Sequence, residues 1–168
     1  MTPPPPLVVG PLTRTDLVRY QGASGDFNPI HHDEPFARAA GLAQPLSLGM
    51  LQAGLLATWA TDWLGAEAVR RFRVRFAEQV FPGDTVTCSG EVVKSYVEDG
   101  EPRLDLELVC TTQTGAVALR AWATFAATSM APAVASVVAP VVAPVVAPVI
   151  APVIAPVIAP VVAREVQG

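Results

Sequence analysis

Asp26 and His31 stand five residues apart on either side of an Asn28-Pro29 pair, in the run Ser24-Gly25-Asp26-Phe27-Asn28-Pro29-Ile30-His31. A carboxylate and an imidazole are the side chains best suited to exchanging protons with a hydroxyl or a water held between them. Pro29 decides how the two can meet. Its ring fixes its own φ and pushes Asn28 out of the helical region, so Asp26 and His31 cannot occupy successive turns of one continuous helix. They flank a bend whose two arms can converge on one point. Taken alone, an Asp beside Asn-Pro is also a turn former and a lone His also a structural residue. Here His31 and His32 are the chain's only histidines and are adjacent. Neighbouring side chains point different ways in regular structure, so one can enter a pocket while the other faces solvent. His31 is expected inside.

The elements around this bend can be read from capping and periodicity. Thr13 or Thr15 can cap a first helix running to about Tyr20, with Leu12, Leu17 and Tyr20 as its apolar positions. Asp33 opens a short helix over 35–40, with Pro35 early and Gly41 as its stop. Residues 42–48 read as a loop. The stretch 49–64 is apolar on nearly every side and ends at Gly65, which predicts a helix buried all round. Its small residues Ala53, Gly54, Ala57 and Ala60 would let a sheet approach closely. The period then changes: Phe72, Val74 and Phe76 alternate with Arg71, Arg73 and Arg75, as in a half-buried strand. Three further strands are expected over 85–96, 104–112 and 116–126, separated by Pro-Gly-Asp, Glu-Asp-Gly and Thr-Gly turns. Four strands joined by tight turns pair antiparallel, and one long helix against them is an α+β layer.

Of the 168 residues, roughly 130 have an ordinary mixture of apolar and charged positions, enough for a single domain with a sizeable core. The net charge of −4 does not indicate a nucleic-acid surface, and the local exception is Arg70, Arg71, Arg73 and Arg75. Cys88 and Cys110 lie in strand-like stretches without metal-ligand spacing, so buried reduced thiols are expected and no metal site is implied. The start, Met-Thr-Pro-Pro-Pro-Pro, has neither the basic nor the apolar region of a secretory signal, and a cytoplasmic location fits. From Ala139 the unit Ala-Pro-Val-Val/Ile repeats six times. Proline at every fourth position is incompatible with a membrane helix, so 131–168 is expected to be a low-complexity, disordered tail of extended polyproline-like character. The globular domain is placed at 8–130.

Tyr20, the run from Ser24 to His31, and Ala37 six residues later resemble the signature of the MaoC-like (R)-specific enoyl-thioester hydratases and 3-hydroxyacyl-thioester dehydratases. The resemblance extends over roughly 10–128 and includes Gly49-Met50-Leu51, Arg75-Phe76 and Phe81-Pro82-Gly83-Asp84. The segment from Leu12 to Phe27 is also similar to the catalytic subunit of actinobacterial fatty-acid-synthase dehydratases, which pairs with a second hotdog subunit. Two positions depart from the pattern: Ala23, and Leu48, where many relatives carry His.

The resemblance implies a hotdog fold, an antiparallel sheet wrapped around one long helix and dimerised through its edge, as a homodimer or with another hotdog subunit. It implies reversible hydration of trans-2-enoyl thioesters, with Asp26 and His31 handling water and proton. The backbone N–H of Gly49 would stabilise the thioester oxygen, and Asn28 would orient the turn. The substrate would be an acyl thioester of coenzyme A or of an acyl carrier protein, with no cofactor, no nucleic acid and no membrane contact. Rival readings are a hotdog thioesterase and a non-catalytic acyl-binding subunit. Arg71, Arg73 and Arg75 either meet coenzyme A phosphates or an acidic carrier protein, or form a solvated strand face.

Overall fold

The computed structural model describes residues 1–127; the repeat-bearing tail and the last residues of the expected domain lie outside them. Three helices precede most of the sheet: α1 Arg14–Ser24, α2 Glu34–Ala39 and α3 Gly49–Leu64. Thr13 caps α1 in a reciprocal box with Asp16, satisfying two N–H groups that the first turn leaves open. The Thr13 hydroxyl, aided by the Thr13 backbone N–H and Arg19, holds the Asp16 carboxyl below the ordinary carboxylate range. The helix runs four residues beyond the expected Tyr20, because the residue that stops it is Gly25, in the left-handed conformation at φ 73°. Asp33 caps α2 through the Phe36 N–H, as its position predicts.

The sheet has five strands in the order β1-β3-β4-β5-β2, all neighbours antiparallel. They are β1 Leu7–Val9, β2 Val69–Phe76, β3 Val86–Glu98, β4 Glu101–Thr112 and β5 Val117–Ala126. β3 and β4 meet at Asp99-Gly100, both at positive φ, the tight two-residue loop that Asp-Gly favours. The four-strand expectation missed β1. Only three residues long, it is defined by its pairing with Val86, Thr87 and Cys88. Trp59 reinforces it by donating its indole N–H to the Pro5 carbonyl at 3.0 Å.

One face of the sheet packs on α3. The core joins Leu56, Trp59 and Ala60 of the helix to Val86, Leu106, Leu108, Leu119 and Phe125 of the strands. The helix is not buried all round: Met50, Gly54, Thr58 and Asp62 form an exposed stripe at i, i+4 spacing. Ala53 and Ala60 are buried, but a Cβ on Gly54 would meet nothing within 4 Å, so that glycine does not serve sheet packing. Phe76 likewise departs from the inward pattern of Phe72 and Val74, at 50% exposure. Cys88 and Cys110 sit opposite each other across β3 and β4 as buried, free thiols. The neighbouring Cys110 sulfur, together with burial, pushes the Cys88 thiol far up.

Gly90 stands opposite Leu108 on β4 with no room for a side chain. A Cβ there would lie 2.4 Å from Leu108 Cδ2 and 2.7 Å from the Glu107 carbonyl oxygen. Since a strand backbone cannot yield as a side-chain tip can, Gly90→Ala should destabilise the fold by about 1–3 kcal/mol. Thermal denaturation checks this; an unchanged Tm would mean that the two strands can separate locally at no cost.

Candidate active site

The bend is built from short local bonds. The Gly25 N–H donates to the Gln21 carbonyl at 2.9 Å and ends α1, which launches Asp26 outward. The Asn28 N–H then donates to Asp26 Oδ1 at 3.2 Å, and the Ile30 N–H to Asn28 Oδ1 at 3.1 Å. Pro29–His31 forms a single 3₁₀ turn with Asn28 as its cap. Asn28 therefore shapes the turn through its side-chain oxygen. Across the bend, the Leu46 N–H donates to the Ile30 carbonyl at 3.0 Å, tying it to the loop before α3. An ion pair between Arg14 of α1 and Glu34 of α2 spans the same region from outside.

His31 Nδ1 lies 2.8 Å from the Leu46 carbonyl oxygen. A carbonyl can only accept, so Nδ1 carries a hydrogen and the neutral ring presents its lone pair at Nε2. That nitrogen faces Asp26 Oδ2 at 3.7 Å. With the ring neutral, Nε2 and the carboxylate are both acceptors, and one water beside them can donate to both. His31 is 10% exposed and Asp26 49% at the side chain, so the pair has a buried wall and an open one. His32 faces outward, its Nδ1 accepting from Gln21 Nε2 at 3.0 Å.

Gln21 is a residue that sequence reasoning missed. It is 3% exposed, and the same Nε2 also donates to the Asp26 carbonyl at 3.1 Å. One buried carboxamide thus holds the backbone of Asp26 and the ring of His32. Ser47 and Gln52 were missed as well: both are buried and bonded to each other at 2.8 Å beneath the start of α3.

Gly49 begins α3 after Leu48, which caps it without a side-chain bond. First-turn N–H groups without side-chain partners, at the positive end of the helix dipole, suit a developing negative charge. Leu48 is 1% exposed, an apolar anchor in the core. A cavity of about 250 Å³ opens beside Gly49, lined also by Leu46, Ser47, Gln52, Phe76 and Leu119. Asp26 and His31 are not part of its lining. Leu46 links the two halves, since its carbonyl fixes the His31 ring and the residue itself borders the cavity.

A Cβ on Gly49 would lie 2.9 Å from Cε1 of the Phe76 ring. That ring is half exposed and can swing away, so Gly49→Ala should keep the fold while narrowing the approach to the helix N-terminus. We expect kcat/KM to fall at least tenfold, with Tm within a few degrees of the parent. An unaltered kcat/KM would remove Gly49 from the site.

A five-stranded antiparallel sheet of this order packed on one long helix defines a hotdog protein. The chain belongs to the MaoC like domain family, whose profile matches residues 5–113. It is 36% identical over 98 residues to the Enoyl-CoA hydratase ChsH3 of Mycobacterium tuberculosis, covering 56% of this chain and 32% of that one. Among solved structures, the ChsH1-ChsH2 complex from the same organism aligns with TM-score 0.62 at 28% identity, covering 73% of this chain and 92% of the other. The (R)-hydratase from A. caviae involved in PHA biosynthesis aligns with TM-score 0.62 at 26% identity, covering 74% and 95%. The chain spans a third or less of the length of the first curated relatives it matches.

Proposed function

We propose that the protein is a hydro-lyase of fatty-acid metabolism that reversibly hydrates trans-2-enoyl thioesters and dehydrates (R)-3-hydroxyacyl thioesters. The observation that carries this reading is the placement of His31: its Nδ1 lies 2.8 Å from the Leu46 carbonyl oxygen, which leaves Nε2 facing the Asp26 carboxylate at 3.7 Å. In hydration, the water held by Asp26 and His31 attacks the β-carbon as the pair takes one of its protons. A proton is returned to the α-carbon on the same face. Dehydration reverses these steps. The two groups act as one coupled acid/base unit. Negative charge on the thioester oxygen meets the Gly49 N–H, a type of contact worth about 3 kcal/mol in other enzymes. Asn28 keeps the turn in register. The chemistry needs no cofactor.

The reading extends to assembly. Phe27 and Met50, beside the bend and at the start of α3, are 66% and 56% exposed, and Phe76 at the cavity is 50% exposed. Among the described residues, β2 has no strand on its outer edge along its eight residues. A second hotdog subunit, identical or different, added at this edge would cover the apolar residues and close the path from cavity to Asp–His pair. Among the described residues no helix is long and apolar enough to cross a membrane, and a cytoplasmic location is part of the proposal.

Crotonyl-CoA supplied to the purified protein, alone and with its partner where native mass measurement finds one, tests the activity. Loss of enoyl absorbance without thiol release is expected. Thiol release would instead indicate a thioesterase, and it would be read cleanly because both cysteines of the chain are buried. No turnover in the full assembly would favour an acyl-binding subunit.

A further inference from the structure

Gln52 is the one polar side chain among the buried positions of α3, which are otherwise Ala53, Leu56, Trp59 and Ala60. It is 3% exposed, as is Ser47, which it touches. Burying a carboxamide and a hydroxyl is unfavourable unless their polar atoms find partners, and apolar side chains of the same shape would fill the space without that requirement. Here the partners converge on the first turn of the helix. The Leu48 and Gly49 carbonyl oxygens lie 2.6 and 3.2 Å from one end of the Gln52 carboxamide, and the Ser47 hydroxyl lies 2.8 Å from the other. Carbonyls only accept, so the end that faces them is the NH₂ group, and the Ser47 hydroxyl donates to Gln52 Oε1.

The Leu48 carbonyl also accepts from the Leu51 N–H at 3.0 Å, so both of its lone pairs are engaged. That carbonyl and the Gly49 N–H belong to one peptide unit. A hydrogen bond accepted at the oxygen of a peptide draws electron density toward it and makes the N–H of the same unit a stronger donor. Gln52 borders the cavity beside Gly49, but both hydrogens of its NH₂ are committed to backbone carbonyls, so its donors act on the cavity through the peptide. Ser47 is anchored in turn, its N–H donating to the carbonyl of buried Val80 at 2.8 Å. A continuous path thus runs from the core through Ser47 and Gln52 to the Leu48–Gly49 peptide.

We infer that Gln52, oriented by Ser47, is a positioning residue that holds and polarises the Leu48–Gly49 peptide, so that the Gly49 N–H meets the charge developing on the thioester oxygen. The inference rests on the hydratase reading and gives the two buried polar side chains a part in it. Because that charge grows only as the reaction proceeds, the contribution falls on kcat rather than on KM.

The test uses the full chain in its native assembly and compares the parent with Gln52→Met, which keeps the volume but donates nothing. On crotonyl-CoA, kcat should fall about two- to tenfold, a fraction of what a whole oxyanion donor supplies, with KM changed less than about twofold. A readout independent of turnover is the absorbance of bound 2,4-hexadienoyl-CoA, whose conjugated carbonyl shifts to the red as a donor polarises it. In an Asp26→Asn background that holds turnover back, adding Gln52→Met should shrink this red shift. Ser47→Ala keeps the carboxamide but frees its orientation; it should give a smaller loss of the same kind, and it carries the test if Gln52→Met does not fold. Since both side chains act through one peptide, Ser47→Ala added to Gln52→Met should lose no more activity than Gln52→Met alone. A red shift and a kcat indifferent to both substitutions, in folded protein, overturn the inference and leave the hydratase standing. A raised KM with kcat unchanged overturns it in favour of a residue that merely lines the cavity. A Gln52-dependent red shift in a parent that hydrates no enoyl thioester supports the polarised peptide and overturns the hydratase reading instead.

Discussion

His31→Asn should abolish turnover of an enoyl thioester to about one part in a thousand while leaving the protein folded. The imidazole has two separable duties: its Nδ1–H holds the Leu46 carbonyl at 2.8 Å, and its Nε2 faces Asp26. An Asn carboxamide reaches about as far as Nδ1, so it can go on donating to Leu46, but it has nothing at the position of Nε2. General acid/base groups are worth roughly a hundred- to ten-thousandfold in rate, and that loss should fall on kcat. His31→Ala removes both duties. It should lose a similar activity and additionally about 1–3 kcal/mol of stability, the ordinary cost of leaving a buried carbonyl unpaired. Steady-state kinetics and thermal melts on the two variants separate the roles. Activity within tenfold of the parent in His31→Asn would mean that Nε2 takes no part.

The contrast between these duties also marks where sequence reading reaches and where it stops. The Asp26–His31 convergence was legible because Asn28-Pro29 forbids a continuous helix, a constraint that depends on two neighbouring residues alone. The bounds of α3 were legible because Gly49 and Gly65 punctuate an apolar run. The Leu46 carbonyl that sets the His31 tautomer has no such signature: any residue supplies a carbonyl, and only the fold brings position 46 beside position 31. Gln21 falls just past the expected end of the first helix, and nothing in its type marks it as buried before the bend folds back over it. Likewise β1 exists only through its pairing with β3, and three apolar residues after a proline run carry no period to detect. Phe76 and the exposed stripe of α3 broke the expected pattern for a related reason. Hydropathy predicts that a residue will be covered, whereas the covering surface can belong to another chain, as the proposed hotdog partner would supply for Phe76 and Met50.

Asp26→Asn should be as damaging as His31→Asn, for a reason that its modest change in shape conceals. The carboxylate accepts from the Asn28 N–H at Oδ1 and faces His31 Nε2 at Oδ2. The introduced carboxamide keeps its oxygen on Asn28, which points its NH₂ toward Nε2. An acceptor is thereby replaced by a donor aimed at the very lone pair that must take a proton from water. The cradle for water closes, and the imidazole is held in a hydrogen bond instead of left free. We expect kcat to fall about a thousandfold with little change in Tm, since Asp26 is half exposed. If the two side chains act as one unit on one water, their effects cannot multiply. The double variant Asp26→Asn/His31→Asn should then be within about tenfold of either single one. A second thousandfold loss on combination would show instead that each group serves a separate step, and the single shared water would have to be given up.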